Sequence, residues 1–208
     1  MNKLLCVILL ACGAILASGA GATECAPAPQ AQCAGAKLAW AKLKDRDLLE
    51  ADFADATLTN ADLRGALLRG ANLSGADLSD ANLTGADLTN ADLYGANLTR
   101  ASFGRAQMSG ANLAKATMIK TDLKLADLEK ADLSEADLKN AQLNGADLQG
   151  ANLHSAQLDF AHLYMANLKG ANFTRATVSK AGFHGALLKG AIWVDGKICG
   201  GGSFGRCK

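Results

Sequence analysis

Few side chains in this sequence are spaced for chemistry. The three histidines, His154, His162 and His184, are the natural candidates for general acid–base work. Their spacing assigns no Ser-His-Asp or Cys-His set, and they read as solvated surface residues. Six cysteines, Cys6, Cys12, Cys25, Cys33, Cys199 and Cys207, could in principle attack a carbonyl, bind a metal or pair with one another. Asp127 and Asp147 recur at an interval of twenty residues, but two carboxylates fall short of the roughly 6–8 oxygens that calcium takes. No catalytic residue, cofactor site or metal site is expected, and the chain reads as a non-enzyme.

The composition narrows the field further. The chain has 208 residues with 21 Lys and Arg against 20 Asp and Glu, a formal charge of +1. Neutrality argues against non-specific nucleic-acid binding and against a strongly acidic DNA mimic. Half of the residues are apolar yet only 5% are aromatic, so Ala and Leu must build the interior. That is a narrower core than an ordinary enzyme has.

The first segment is an address. Lys3, the apolar run from Leu4 to Leu16 and the small residues Ala20-Gly21-Ala22 have the order of a secretory signal peptide, residues 1–22, cleaved after Ala22 or, as second choice, after Ala20. The apolar run is shorter than the about 20 residues of a membrane span. Leu9-Leu10-Ala11-Cys12 offers the alternative of a lipoprotein anchored at Cys12. Export, to a periplasm or beyond the cell, leaves Cys25, Cys33, Cys199 and Cys207, an even number that reads as two disulfides with three pairings open.

From Ala36 to Asp195 the sequence divides into 32 pentads without an insertion. Ala61-Asp62-Leu63-Arg64-Gly65 is a typical unit. The first slot is Ala in 30 of the 32, the exceptions being Arg46 and Thr121, and the third is Leu in 24. The second is mostly Asp or Asn, and the last two are polar, charged or Gly. A period of five turns an α-helix by about 500°, so no apolar stripe forms. Nor does an odd period keep one face of a flat strand inward. Both difficulties vanish if the backbone turns a corner in every pentad, with Ala and Leu inward, Asp or Asn bonding the backbone beside the corner, and the fifth slot serving where a positive φ is needed. The product is a solenoid whose successive coils stack by backbone hydrogen bonds.

Units such as Ala71-Asn72-Leu73-Ser74-Gly75 and Ala146-Asp147-Leu148-Gln149-Gly150 resemble the pentapeptide-repeat family, whose motif is A-(D/N)-L-x-x. The resemblance covers 160 of the 208 residues. It implies an all-β fold, a right-handed four-sided parallel β-helix with one pentad per side and about eight coils, roughly 38 Å long at the inter-strand spacing. Arg46, in an inward slot, is then tolerable because its coil lies near an end, and the hydroxyl of Thr121 needs a backbone acceptor.

With that rod between them, the flanks at 23–35 and 196–208 are expected to cap its two ends. Disulfide Cα atoms lie within about 7 Å, so the rod leaves only Cys25–Cys33 and Cys199–Cys207 within one chain. The tail from Trp193 onward also resembles the ending of exported members of the family, with Trp193 as a lid.

Twenty residues per coil stack Asp127 on Asp147 as ordinary corner residues and leave no continuous column of Thr. The side containing Met118 meets the side containing Leu123 at an edge. Along it the sequence places Arg100, Arg105, Lys120 and Lys124, followed by Ile119, Leu125, Phe160, Tyr164 and Met165. Outward apolar residues break the polar pattern of these slots and mark a candidate contact site for a protein partner or a second copy. The sequence therefore reads as a non-catalytic, exported structural or interaction module. The alternative carried by the resemblance, a DNA-mimicking protector of a topoisomerase such as gyrase, is opposed by neutral charge and by export. No nucleic-acid partner and no integral membrane span are expected.

Overall fold

A computed structural model describes residues 25–208 of the chain. The expected signal peptide and Cys12 lie outside the described residues. From 32 onward, the second residue of each pentad forms a parallel bridge with the residue twenty positions later, from Gln32↔Asp52 to Asn172↔Ile192. Twenty residues are four pentads, so pentads fall into four recurring faces. Face one starts at Ala31 and every twentieth residue after it, face two at Ala36, face three at Ala41 and face four at Arg46.

The hydrogen bonds explain why five residues suffice. Take the pentad that begins at Thr121. The Asp122 amide donates to Ala101 of the coil before, at 3.0 Å, and the Leu123 amide donates to Gln142 of the coil after, at 2.8 Å. The Leu125 amide donates to Asn144 of the next coil at 3.1 Å, while the Ala126 amide closes the corner on the Leu123 carbonyl at 3.1 Å. One amide, that of slot four, finds no backbone acceptor. The slot-two carboxylate or amide takes it: Lys124 N–H donates to Asp122 Oδ1 at 3.1 Å, and Ser134 N–H to Asp132 Oδ1 at 3.0 Å. Asp and Asn are therefore favoured at slot two, where their side chains satisfy this remaining backbone donor.

Slot five has a left-handed backbone at every pentad from Gln30 to Gly190, the third position of a turn with the signature of type II. Only twelve of these 33 residues are Gly, and among the other 21 there is no Val, Ile or Thr. Left-handed φ is worst for a side chain branched at Cβ, so the slot that looks loose in the sequence excludes one chemical class.

Inside, the columns are dry. Ala and Leu of the central coils are 0–1% exposed, and each fully buried Leu contributes roughly 1.5–3 kcal/mol of transfer free energy. Thr121 is 0% exposed, and its hydroxyl donates to the Leu98 carbonyl at 2.8 Å, the acceptor its position demands. Arg46 is half-buried and reaches out of the first coil to the Pro27 carbonyl at 3.4 Å, so it ties the N-terminal flank down as well as escaping the core.

Both ends differ from the expected boundaries by about one unit. Ala31-Gln32-Cys33-Ala34-Gly35 is already a pentad of the coil, with Cys33 in the Leu slot at 1% exposure. A buried Cys serves there as a small apolar side chain, which hides the unit from an Ala/Leu pattern. At the other end the left-handed residue is Gly196 and not Asp195, so the frame lapses within the final pentad. The chain then doubles back, pairing Ile198 with Ile192 and Phe204 with Leu187 in antiparallel bridges. Trp193 packs on Phe173 and Phe183, with ring centroids 5.4 and 5.3 Å away, and acts as the aromatic lid of this end.

Candidate functional site

The turns occupy slots four and five, and this divides the candidate contact residues. Arg100, Ile119, Lys120 and Phe160 lie on the corner between faces two and three. Arg105, Lys124, Leu125, Tyr164 and Met165 lie on the next corner, between faces three and four. The single edge expected from the sequence is thus two corners flanking face three. The cause is the position of the bend: slots four and five of each side turn toward the following side, so equal slot numbers on adjacent sides belong to different corners.

The second corner carries an apolar strip with a simple construction. Leu125 folds over Gly145 of the next coil, where a Cβ would lie 2.8 Å from Leu125 Cδ2. Met165 covers Gly185, and the Tyr164 ring covers Gly182, where a Cβ would lie 2.5 Å from Cε1. These side chains are permitted because the neighbour above has none. They remain open to solvent, Leu125 at 55% and Met165 at 73%. Tyr164 also meets the His162 ring at 5.5 Å.

Face three lacks the usual slot-two acceptor at His162, and Asn144 of the previous coil compensates by accepting from the Tyr164 amide at 3.3 Å. Across the face, Asp159 does the same for the Ser179 amide at 2.9 Å. Asn144 supports the strip and Asp159 the corner that carries Phe160, without either looking exceptional in sequence; only a missing Asp or Asn at slot two signals them. Phe160 lies under the Lys180 ammonium at 5.2 Å.

The other part of the region is cationic. Arg100 is held by Asp80 in a two-pronged contact at 2.7 and 2.5 Å, and Lys124 pairs with Asp122 at 3.3 Å. The hydrogen bond from Arg100, together with its charge, holds the Asp80 carboxyl below its ordinary range. Among the described residues, neither Arg105 nor Lys120 has an ion pair. Ile119 is half-buried, while Lys120 and Arg105 are exposed.

Elsewhere the titratable groups are structural. Among the described residues Asp87 is the most buried carboxylate, at 8% exposure; desolvation pushes its pKa up, but bonds from the Thr89 hydroxyl and amide and from Arg69 outweigh it, and the carboxyl titrates below its ordinary range. Asp127 and Asp147 bridge directly, as the twenty-residue interval predicts. Asp127 accepts from the Glu129 amide and Asp147 from the Gln149 amide, so both serve corners. Among the described residues, no three His, Cys, Asp or Glu side chains are grouped to hold a metal ion, and no helix is long and apolar enough to cross a membrane. The three histidines share no site: His154 lies on face one, and His162 and His184 occupy different slots of face three. The cysteines pair as expected, Cys25 with Cys33 and Cys199 with Cys207, with Cα atoms 5.3 and 4.9 Å apart.

The pentapeptide-repeat family model matches in eight copies whose stretches run continuously from residue 31 to residue 190. The chain belongs to the pentapeptide-repeat family. Its class is accordingly the family's right-handed, four-sided parallel β-helix. Among solved structures, HetL, a pentapeptide-repeat protein involved in heterocyst differentiation regulation in Nostoc sp. strain PCC 7120, is 35% identical; the match covers 79% of this chain and 85% of HetL, with a TM-score of 0.30. Rfr23 of Cyanothece 51142 is 34% identical over 50% of this chain and 57% of its own, with a TM-score of 0.28. QnrB1, a plasmid-mediated fluoroquinolone resistance protein, is 19% identical over 70% of this chain and 83% of its own, with a TM-score of 0.34. A search of curated proteins found no match.

Proposed function

We propose that this chain is a non-catalytic protein-interaction rod of eight coils, exported and closed at each end by a disulfide, which receives a protein partner across face three. The observation that carries the reading is the strip of Leu125, Tyr164 and Met165 laid over glycines of the next coil. An outward slot that is mostly polar, charged or Gly elsewhere is here apolar; Arg105 lies one coil before it on the same corner, and Lys120 stands across face three. A contiguous apolar patch bordered by charge is the usual form of a protein contact. Phe160 extends it across the face.

The test is replacement of Phe160 and Tyr164 together by Ser, with partner capture and self-association as readouts. Both side chains lie outside the core, Phe160 at 46% and Tyr164 at 42% exposure, so the rod should stay folded while binding is lost. Binding unchanged in the folded variant would remove the reading. Export is tested separately by the N-terminal sequence of the protein recovered from its producing cells: a chain starting at Thr23 or Gly21 supports it, and a chain starting at Met1 refutes it.

The topoisomerase alternative draws no support from the charge pattern. Along face one Asp52, Asp92 and Asp132 alternate with Asn72, Asn112 and Asn152, whose amides donate to the preceding carboxylates at 2.8–3.0 Å. Such a column is half-neutral by construction, whereas a duplex carries a charge at every phosphate.

A further inference from the structure

A second surface, at the C-terminal end, has a chemistry of its own. In the body of the rod slot two is almost always polar, yet in the last coil it becomes Gly182, Leu187 and Ile192. The returning tail sets Phe204 against Leu187 and Ile198 against Ile192, and bridged residues share a face of the sheet. Cross-strand pairing explains why these residues are apolar. It does not explain why Ile198 stays 71% and Phe204 62% exposed. The tail spends its backbone on the rod through alternate residues, Lys197, Cys199, Ser203 and Gly205, which bond Trp193, Gly190, Ala191, Leu188 and Ala186. Ile198 and Phe204 therefore sit on the outermost strand of this end.

The charge here is one-sided. Beyond residue 160 there are seven Lys and Arg against a single Asp. Lys169 and Lys189 line one recess with Leu187 and Phe204, and Lys197 and Lys208 line another with Ile198 and Trp193. Asp195 is engaged by Lys197 at 3.0 Å. Phe204 thus protrudes beside Lys169 and Lys189 at face four, and Ile198 beside Lys197 and Lys208 at face one. End-to-end pairing of two copies through this surface would bring like charges together, which disfavours a second copy as occupant.

We propose that the C-terminal cap docks peripherally on an anionic lipid bilayer, with Ile198 and Phe204 entering the interface and Lys169, Lys189, Lys197 and Lys208 facing lipid phosphates. Neither component suffices alone, since one short apolar anchor binds a bilayer only marginally and becomes stable with a basic patch beside it. Basic residues close to an anionic surface each strengthen binding by about fivefold and lose this effect in salt. This surface is separate from face three, so the proposal stands or falls without the protein-partner reading.

The experiment is co-sedimentation of the purified protein with vesicles of phosphatidylglycerol in phosphatidylcholine, beside vesicles of phosphatidylcholine alone. The expected result is binding to the anionic vesicles only, reversed by high salt. It should weaken at least about tenfold in Ile198→Ser with Phe204→Ser, and by a similar factor in Lys197→Gln with Lys208→Gln. The Phe160→Ser with Tyr164→Ser variant should bind as the parent does. Melting curves verify that each variant is folded; should the apolar variant unfold, the lysine variant and the salt titration decide. No sedimentation with either vesicle, equal sedimentation with both, indifference of the folded variants, or preference for a duplex DNA competitor over lipid would overturn the proposal.

Discussion

The middle of the rod and its C-terminal end are built from the same pentads, yet they obey different rules. Around Leu123 every inward side chain has a coil below and a coil above, and exposure is 0–1%. Around Val178 the coil above is missing. The tail bonds only to faces four and one, through Ala186, Leu188, Gly190, Ala191 and Trp193, and Val178 and Ala181 are left half-buried. Outward slots change as well: the Asp and Asn ladder of the middle gives way to Leu187 and Ile192. The regularity of the repeat is thus a consequence of having two neighbours. Where one is lost, the interior loosens, aromatic rings replace Leu as the plug, and a disulfide supplies what stacking no longer does.

The sharpest way to break this comparison is a charge in each interior. Leu123→Asp should cost more than about 4 kcal/mol and unfold several coils, because it removes a buried Leu and leaves an unpaired carboxylate. Val178→Asp should cost about 1 kcal/mol, since water reaches it. Equal losses in chemical denaturation would abolish the distinction. Next in size is the disulfide. Replacing Cys199 and Cys207 by Ala should remove roughly 2–3 kcal/mol in the chain-entropy model. The loss should appear as faster hydrogen exchange in residues 171–193 while the coils around Leu123 stay protected; uniform loss along the rod would contradict it.

Smaller effects sharpen the account of the outward slots. Asp147 stacks on Asp127 without a hydrogen to give, whereas Asn72, Asn97, Asn112, Asn152 and Asn167 each donate to the Asp of the previous coil. Asp147→Asn should therefore stabilise the rod by about 0.5–1 kcal/mol, seen as a raised Tm. At slot five, Ser155 is left-handed with φ of 57°. Ser155→Gly should gain about 0.5 kcal/mol and Ser155→Val lose more than that. The reverse order would mean the slot carries no backbone strain.

The weakest expected dependence is on pH. The carboxyls of Asp62, Asp80, Asp87 and Asp195 all titrate below their ordinary range in the folded protein. Groups lowered on folding contribute stability that is complete above the unfolded value, about 3.9 for Asp, and is lost as pH falls through the folded values. The Tm should accordingly stay flat from neutral pH down to about 4 and decline gently below it; a decline beginning near pH 6 would contradict this assignment to the four carboxyls.

Much of this was legible in the residues. Ala and Leu two apart in a period of five exclude helix and flat strand, and an inward Thr121 calls for an acceptor that Leu98 supplies. The start of the coil was not legible, because Cys33 fills a Leu slot under another name. The candidate contact site was half legible. Leu125, Phe160, Tyr164 and Met165 stand out as apolar residues in polar slots, but their division between two corners depends on which residues bend. The roles of Asn144 and Asp159 were invisible, since neither departs from the composition of its slot.

Sequence alone determined the inward columns, the bend in each pentad and the need for closed ends, because those follow from which side chains water rejects and which backbone donors require partners. Tertiary structure decided where the bends fall, which glycines of one coil make room for the side chains of another, and how the tail returns over only two faces. These are relations between residues twenty positions apart or at a chain reversal. They are set by stacking, and no local propensity encodes them.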